Sequence, residues 1–119
     1  MELQQQVTNL ELSKRMKELG FKKKSFARWE VYTDPNTNRK KKLIVLQGGH
    51  TFVDSYSAYT VAELGEMLSS YKYNWQNYKG SDGQWVLGDY ILSLPPTKGI
   101  TEADTRAKML IYLKENNLL

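Results

Sequence analysis

The chain has 119 residues, which is close to the commonest size of a single domain. Its residues are 40% hydrophobic and 25% charged, a composition typical of a globular protein and too apolar for a disordered one. No apolar run approaches the roughly 20 residues that cross a bilayer, and the polar first residues are not typical of a signal peptide. We therefore expect one domain over residues 1–119 and no membrane partner.

Positive charge is concentrated in the first half of the chain. Residues 1–50 carry 11 Lys and Arg against 5 Asp and Glu, whereas residues 51–119 carry 6 against 8. Most of the excess lies in two short runs, Lys22-Lys23-Lys24 and Arg39-Lys40-Lys41-Lys42. Basic runs of this kind attract phosphates. They also occur as solvated loops that shield a hairpin, and the sequence leaves both roles open.

Three helices are predicted from their capping residues. Thr8-Asn9-Leu10-Glu11 and Thr60-Val61-Ala62-Glu63 have the pattern of a capping box, in which the Thr hydroxyl and the Glu carboxylate bond reciprocally to backbone amides. Thr101-Glu102-Ala103-Asp104 places two acids in a first helical turn, where the helix dipole favours them. The predicted helices span residues 9–19, with Gly20 as a left-handed cap, 61–69 and 102–116.

The first predicted hairpin follows the first helix. Residues 26–32 and 43–46 are rich in β-forming side chains, and the strong turn residues 34–38 lie between them. We expect an antiparallel hairpin whose tip carries Arg39–Lys42. A further short strand is predicted within residues 51–59.

The second predicted hairpin joins residues 71–78 to 84–87 through Gly80-Ser81-Asp82-Gly83. Residues 89–94 extend the sheet until Pro95-Pro96 ends it. The predicted fold class is therefore α+β, with a small antiparallel sheet of two hairpins and four to five strands. About three helices are expected to pack mainly on one face of that sheet.

No catalytic signature accompanies this fold. Cysteine is absent and His50 is the only histidine, which excludes disulfides, thiol chemistry and sites built from several Cys or His side chains. The acids Asp54, Asp82 and Asp89 stand in turn-like contexts, where Asp is favoured because it bonds to nearby backbone. Phosphate-loop and metal-ligand spacings are missing. We expect no enzyme, no catalytic residue, no metal and no cofactor.

Aromatic side chains are the second compositional feature with chemical content. Eight Tyr, three Trp and three Phe make up 12% of the chain. Aromatic faces beside a basic groove bind single strands and nucleotides, because bases stack on the rings while Lys and Arg hold phosphate. The predicted phosphate ligands are Lys22, Lys23, Lys24, Arg39, Lys40, Lys41 and Lys42, and the predicted stacking residues are Trp29, Tyr73 and Trp75. The alternative is that these aromatic side chains form the core.

The last helix contains five consecutive apolar or aromatic residues, Met109–Leu113, which is more than one buried face requires. Either this end of the helix is deeply buried, or it contacts another subunit. We expect a homo-oligomer with contacts at Met109, Tyr112 and Leu113.

The segments Tyr56–Leu68 and Thr101–Leu113, together with Leu10–Gly20 and the aromatic stretch around Trp29, resemble a family of small proteins encoded by bacteriophages and prophages. The resemblance covers most of the chain. It departs in the basic segment 33–42 and at the ending Glu115-Asn116-Asn117, where the family has Asn-Gly. The family offers no catalytic residues to carry over.

The resemblance implies a protein that acts in the cytoplasm of a bacterial host cell by binding. Its first implied role, which agrees with the basic and aromatic residues, is a non-enzymatic binding module for an anionic nucleotide or nucleic acid. The alternative is a protein-interaction module that binds or inhibits a host protein, such as a defence or replication factor. Exposed Tyr and Trp residues suit a protein interface equally well.

Overall fold

The computed structural model describes residues 2–46, 54–69, 73–89 and 94–118. Within these ranges the α+β class is confirmed, with helices packed beside small antiparallel sheets. The elements in chain order are α1 (Leu3–Gln6), α2 (Leu10–Glu18), β1 (Ala27–Thr33), β2 (Lys40–Leu46), β3 (Asp54–Ser57), α3 (Val61–Ser69), β4 (Trp75–Lys79), β5 (Trp85–Asp89), β6 (Thr97–Gly99) and α4 (Glu102–Glu115). None of these helices has the length and apolar character that a membrane span requires.

The strands form two three-stranded sheets rather than the single sheet expected from the sequence. The first has the order β2-β1-β3 and the second the order β4-β5-β6, and all neighbours are antiparallel. Both hairpins are present, as β1-β2 and β4-β5. The third strand of the second sheet, β6, differs from the prediction, because Pro95-Pro96 interrupts the pairing only locally and β6 begins directly after it.

The basic residues Lys40–Lys42 lie in β2 and not at the hairpin tip. They pair with Thr33, Tyr32 and Val31 of β1, so the turn is shorter than predicted. Asp34 organises that turn: its carboxylate accepts from the amide of Asn36 at 3.0 Å, and its backbone carbonyl accepts from the amide of Asn38 at 2.8 Å. These local bonds let β2 begin early, since the chain reverses within residues 34–39.

Two of the three predicted helix starts are confirmed. Thr60 and Glu63 form the reciprocal capping box of α3, with bonds of 3.2 Å and 2.9 Å. Thr101 caps α4 by accepting from the amide of Asp104 at 3.1 Å. At α2 the prediction is wrong, because Asn9 is the cap and accepts from the amide of Leu12 at 2.9 Å.

The helix ends follow the expected chemistry of left-handed caps. Gly20 has a φ of +90°, and the amides of Gly20 and Phe21 donate to the carbonyls of Lys17 and Met16. Asn117, which follows α4, has a φ of +53°. This left-handed conformation is the one that Gly adopts most readily. Asn117 therefore serves as the left-handed cap that ends α4, and the amide of Leu118 donates to the carbonyl of Leu113 at 2.8 Å.

The described residues form two hydrophobic clusters in the interior. The larger one joins α2, α3, α4 and the second sheet, and the smaller one packs Trp29 of β1 against Val7, Leu10 and Ala58. The predictions for His50, for Tyr71 and for the strand segments 51–53 and 90–93 lie outside the described residues.

Candidate anion-binding cleft

The first basic run lines a cleft with a volume of about 460 Å³. Its walls are α2, the segment 19–26 that joins α2 to β1, and β3 at the edge of the first sheet. This volume lies within the range of about 300–1,000 Å³ that is typical of small-molecule sites. The lining residues are Ser13, Lys17, Phe21, Lys22, Lys23, Lys24, Ser25, Arg28, Ser55, Ser57 and Tyr59.

Hydrogen bonds to the rest of the molecule hold the basic segment of the cleft in place. The Tyr59 hydroxyl donates to the carbonyl of Lys23 at 2.5 Å. The Ser25 hydroxyl lies 2.9 Å from the carbonyl oxygen of Ala58 and 2.7 Å from the carboxylate of Glu63, and these two acceptors share its single proton. Because the backbone on both sides of Lys24 is anchored, the three lysines are presented from a fixed segment.

Among the described residues, five cationic side chains and no carboxylate line the cleft. Three carboxylates stand nearby: Glu66 pairs with Lys23 at 3.0 Å, Glu30 pairs with Arg28 at 3.1 Å, and Glu63 lies 2.7 Å from the hydroxyl of Ser25. Among the described residues, no carboxylate forms an ion pair with Lys22 or Lys24, and both side chains are exposed. The cleft therefore keeps a net positive charge, and its concave shape strengthens the local electrostatic potential.

Hydroxyl groups supply the neutral part of the cleft. Burial raises the pKa of Tyr59, so its hydroxyl stays protonated and donates to the Lys23 carbonyl over the physiological pH range. Ser55 and Ser57 present their side chains from β3 on the same side as Arg28. The Lys17 ammonium donates to the carbonyl of Ser55 at 3.1 Å and so lies directly at this wall.

The second basic run does not line this cleft. Arg39 and Lys40 are exposed at the start of β2. The ammonium of Lys41 pairs with Asp34 at 3.0 Å, and that of Lys42 lies 5.3 Å above the centre of the Trp29 ring. The two basic runs are thus separated along β1, with one before its first residue and the other beside its last.

The predicted stacking residues lie elsewhere in the molecule. Trp29 is only 4% exposed, and its indole N–H donates to the carbonyl of Thr8 at 2.7 Å, so its ring belongs to the smaller core. Tyr73 and Trp75 pack against the larger core with their ring centres 5.3 Å apart, and the Trp75 indole donates to the carbonyl of Leu68. None of the three lines the cleft.

The aromatic side chains that do line the cleft are Phe21 and Tyr59. The sequence analysis missed both, because neither belongs to an alternating aromatic row. Phe21 carries a signal that can be recognised in hindsight, since it directly follows the helix cap Gly20 and directly precedes the basic run.

Two of the three predicted oligomer contacts lie in the core. Met109 and Leu113 have no exposed surface in the larger hydrophobic cluster, so their side chains are closed to a second copy of the chain. Tyr112 is half-buried at the edge of the same cluster. Of the two explanations that the sequence left open, deep burial accounts for this end of α4, and the homo-oligomer stays a prediction.

Metal binding finds no support in the described part of the chain, where no three His, Asp or Glu residues are grouped closely enough to hold an ion.

Comparisons with protein-family models, with curated proteins and with solved structures gave no match. The resemblance to phage-encoded proteins therefore stays a prediction.

Proposed function

We propose that the protein is a non-enzymatic binding module whose ligand is an anionic nucleotide or nucleic acid held at the basic cleft. The observation that carries the proposal is the convergence of five cationic side chains in one cleft that is lined by no carboxylate of the described part of the chain. Phosphate oxygens would bond to the ammonium groups of Lys22 and Lys24, whose side chains are exposed. Charge-assisted bonds of this kind are stronger than neutral ones.

The roles of the side chains follow from their positions. Lys22 and Lys24 are the main phosphate ligands, because both are exposed and neither is paired with a described carboxylate. Lys17 of α2 adds a third ammonium group, which lies 3.1 Å from the carbonyl of Ser55. Phe21 supplies an apolar ring against which a base can rest, and this contact replaces the stacking that was expected of Trp29, Tyr73 and Trp75.

The context of this activity is also a proposal. If the resemblance to phage-encoded proteins is correct, the ligand belongs to the nucleotides and nucleic acids of a bacterial cytoplasm. The net charge of +4 favours such anionic ligands at long range.

Isothermal calorimetry is the direct test, because no tryptophan lines the cleft and quenching of tryptophan fluorescence would miss a ligand there. The probes are inorganic phosphate, AMP, ATP, a cyclic dinucleotide and an eight-residue oligodeoxythymidine, each at about 50 and 200 mM salt. The double variant Lys22→Glu/Lys24→Glu is expected to weaken binding at least tenfold. Binding of the wild type should also fall as salt rises.

The matched control is Lys79→Glu/Lys98→Glu, which makes the same change of net charge on exposed residues of the second sheet. This control should bind like the wild type. Equal losses in both variants would mean a non-specific charge effect, and no heat with any probe would overturn the proposal.

A second candidate function, a protein-interaction module, is favoured by one apolar feature. Ile100 is 83% exposed and shares a groove of about 300 Å³ with Trp85 and Val61. Exposed apolar and Trp side chains of this kind form the energetic centres of protein interfaces. The variant Ile100→Asp should then lose a bacterial protein that the wild type captures from lysate, while nucleotide binding stays unchanged. Identical captures by both proteins would contradict this candidate.

A further inference from the structure

The cationic side chains of the cleft are not equally free to bind a ligand. Lys23 pairs with Glu66 at 3.0 Å and Arg28 pairs with Glu30 at 3.1 Å, so carboxylates neutralise two of the five. The other three cations are exposed and have no ion pair with a described carboxylate, and they are Lys17, Lys22 and Lys24. The cleft therefore offers a ligand three ammonium groups whose charge is not neutralised.

Three positive charges in one small cleft fit a compact chain of phosphates. A terminal phosphate carries about 1.5–2 negative charges at pH 7, and a second phosphate joined to it through one oxygen adds further charge at the same place. In a nucleic acid strand each phosphate carries a single charge and a sugar separates it from the next. A diphosphate or triphosphate therefore brings more charge into a cleft of about 460 Å³ than a strand of that size can.

Neutral ion pairs, rather than further free cations, border the cleft. Glu30 follows Arg28 on the same face of β1, because side chains two positions apart in a strand share a face. At Lys23 the border is formed by Glu66 of α3. A longer anion that leaves the cleft at either pair gains no contact with an unpaired cation there.

The second basic run does not extend the cleft. By the β1-β2 register Lys41 lies on the same face as Arg28, but its ammonium pairs with Asp34 at 3.0 Å. Lys40 and Lys42 lie on the opposite face of the sheet, because neighbouring residues of a strand point to opposite faces. The described residues thus present no continuous row of unpaired cations along which a polymer could lie.

The cleft has room for one base beside the phosphates. Phe21 lines it directly before Lys22, and the Phe21 ring is half-buried against the larger core with the ammonium of Lys114 5.8 Å from its centre. These contacts fix the ring, and a base can rest on the part of it that lines the cleft. Tyr59, the other aromatic residue of the lining, is only 2% exposed, so it offers no second stacking surface.

We propose that the ligand is a mononucleotide with at least two phosphates in a row, which is a nucleoside diphosphate or triphosphate. This inference rests on the proposed function, because it concerns the same cleft and the same lysines. Lys17, Lys22 and Lys24 hold the phosphate chain, and Phe21 holds the base.

Calorimetry with ADP, ATP, AMP, pyrophosphate and oligodeoxythymidines of two, four and eight residues tests the inference at about 50 mM salt, where charge is weakly screened. ADP and ATP should bind at least about tenfold more tightly than AMP, because one more hydrogen bond to a charged group is sufficient for that factor. They should also bind about tenfold more tightly than pyrophosphate, which has no base to stack. Affinity for the oligodeoxythymidines should stay below that for ADP at every length.

Two variants separate the phosphate contacts from the base contact. Lys22→Gln/Lys24→Gln should reduce the affinity for ADP to about that of the wild type for AMP, and Lys79→Gln/Lys98→Gln is the control with the same change of net charge. Phe21→Leu should weaken ADP binding about tenfold and leave pyrophosphate binding unchanged, which also shows that this variant is folded.

The outcomes distinguish this inference from the proposed function. Equal affinities for AMP and ADP, or an affinity for the eight-residue strand above that for ADP, would overturn the inference and leave the proposed function intact. Pyrophosphate binding as tight as ADP binding, or Phe21→Leu binding ADP like the wild type, would overturn the mononucleotide as the ligand. No heat with any probe would overturn both.

Discussion

The carboxylate of Asp104 accepts two hydrogen bonds from Asn9, one from its backbone amide at 2.8 Å and one from its side-chain amide at 3.1 Å. Asn9 is the cap of α2, and Asp104 lies in the first turn of α4. Asn9 and Asp104 are 95 residues apart in sequence, and yet this one carboxylate lies at the N-terminal ends of both helices, where both helix dipoles favour negative charge.

We expect Asp104→Asn to lower the free energy of unfolding by about 1.5–3 kcal/mol, the usual contribution of hydrogen bonds to a charged group. Urea denaturation measures this change. Glu11→Gln is the matched control, because it removes an acid from the first turn of α2. Glu11 contributes only through the helix dipole, so its loss should cost about 0.3–1 kcal/mol. Equal losses in the two variants would mean that the bonds to Asn9 contribute nothing.

The hydroxyl of Thr8 gives a second prediction about the free energy of unfolding. Its hydroxyl is completely buried, accepts from the amide of Tyr59 at 3.1 Å and shares a 2.7 Å hydrogen bond with the hydroxyl of Ser13. Thr8→Val keeps the shape but leaves the amide of Tyr59 without its acceptor, whereas the Ser13 hydroxyl keeps its 2.8 Å bond to the carbonyl of Asn9, so we expect a loss of about 1–3 kcal/mol in urea denaturation. Thr8→Ser keeps the hydroxyl and should lose clearly less. A Val variant as stable as the Ser variant would contradict this role.

The same residue shows where sequence analysis of helix starts succeeds and where it fails. The capping bonds of Thr60 and Thr101 involve residues three positions away, and both were predictable from the local pattern. Thr8 has the same pattern with Glu11, but its hydroxyl bonds to Tyr59, 51 residues away. The local sequence does not reveal that the amide of Tyr59 takes the place of the Glu11 amide as the donor to Thr8, because this contact arises only when β3 and α3 pack beside α2.

The candidate site was predictable in its charge and not in its aromatic residues. Lys22–Lys24 stand out in the sequence, and they do line a cleft. Strand alternation predicts that Trp29 and Arg28 point to opposite faces, but it does not tell which face is covered. The core covers the Trp29 face, so the cation and not the ring reaches the cleft.

Asn38 gives a prediction about the hairpin turn. Its φ of +56° lies in the left-handed region, which costs most residues about 1–2 kcal/mol and which Asn tolerates better. Asn38→Ala should therefore lower the free energy of unfolding by about 1 kcal/mol, and Asn38→Gly should leave it unchanged or raise it slightly. Urea denaturation separates the two. Asn36→Ala, at an exposed position of the same turn without a positive φ, is the control and should have a smaller effect than Asn38→Ala.

The same turn predicts a dependence of stability on pH. The amide of Asn36, followed by the ammonium of Lys41, lowers the pKa of Asp34, because both groups bond to its ionised form. The folded-state pKa is thus below the unfolded one. The contribution of Asp34 to stability is complete above the unfolded-state pKa and is lost as the pH falls through the folded-state pKa.

Urea denaturation at a series of pH values from 2 to 7 measures this contribution as the difference between wild type and Asp34→Asn. The difference should be largest near neutral pH and shrink toward zero in acid, because protonated Asp34 resembles Asn. Glu2→Gln, at an exposed position before α1, is the control and should show little difference at any pH. A difference between wild type and Asp34→Asn that stays constant down to pH 2 would mean that the turn does not depend on the ionised carboxylate. Because Lys41 follows Lys40 directly in β2, loss of the Asp34 contact in acid should also loosen the strand that carries the second basic run.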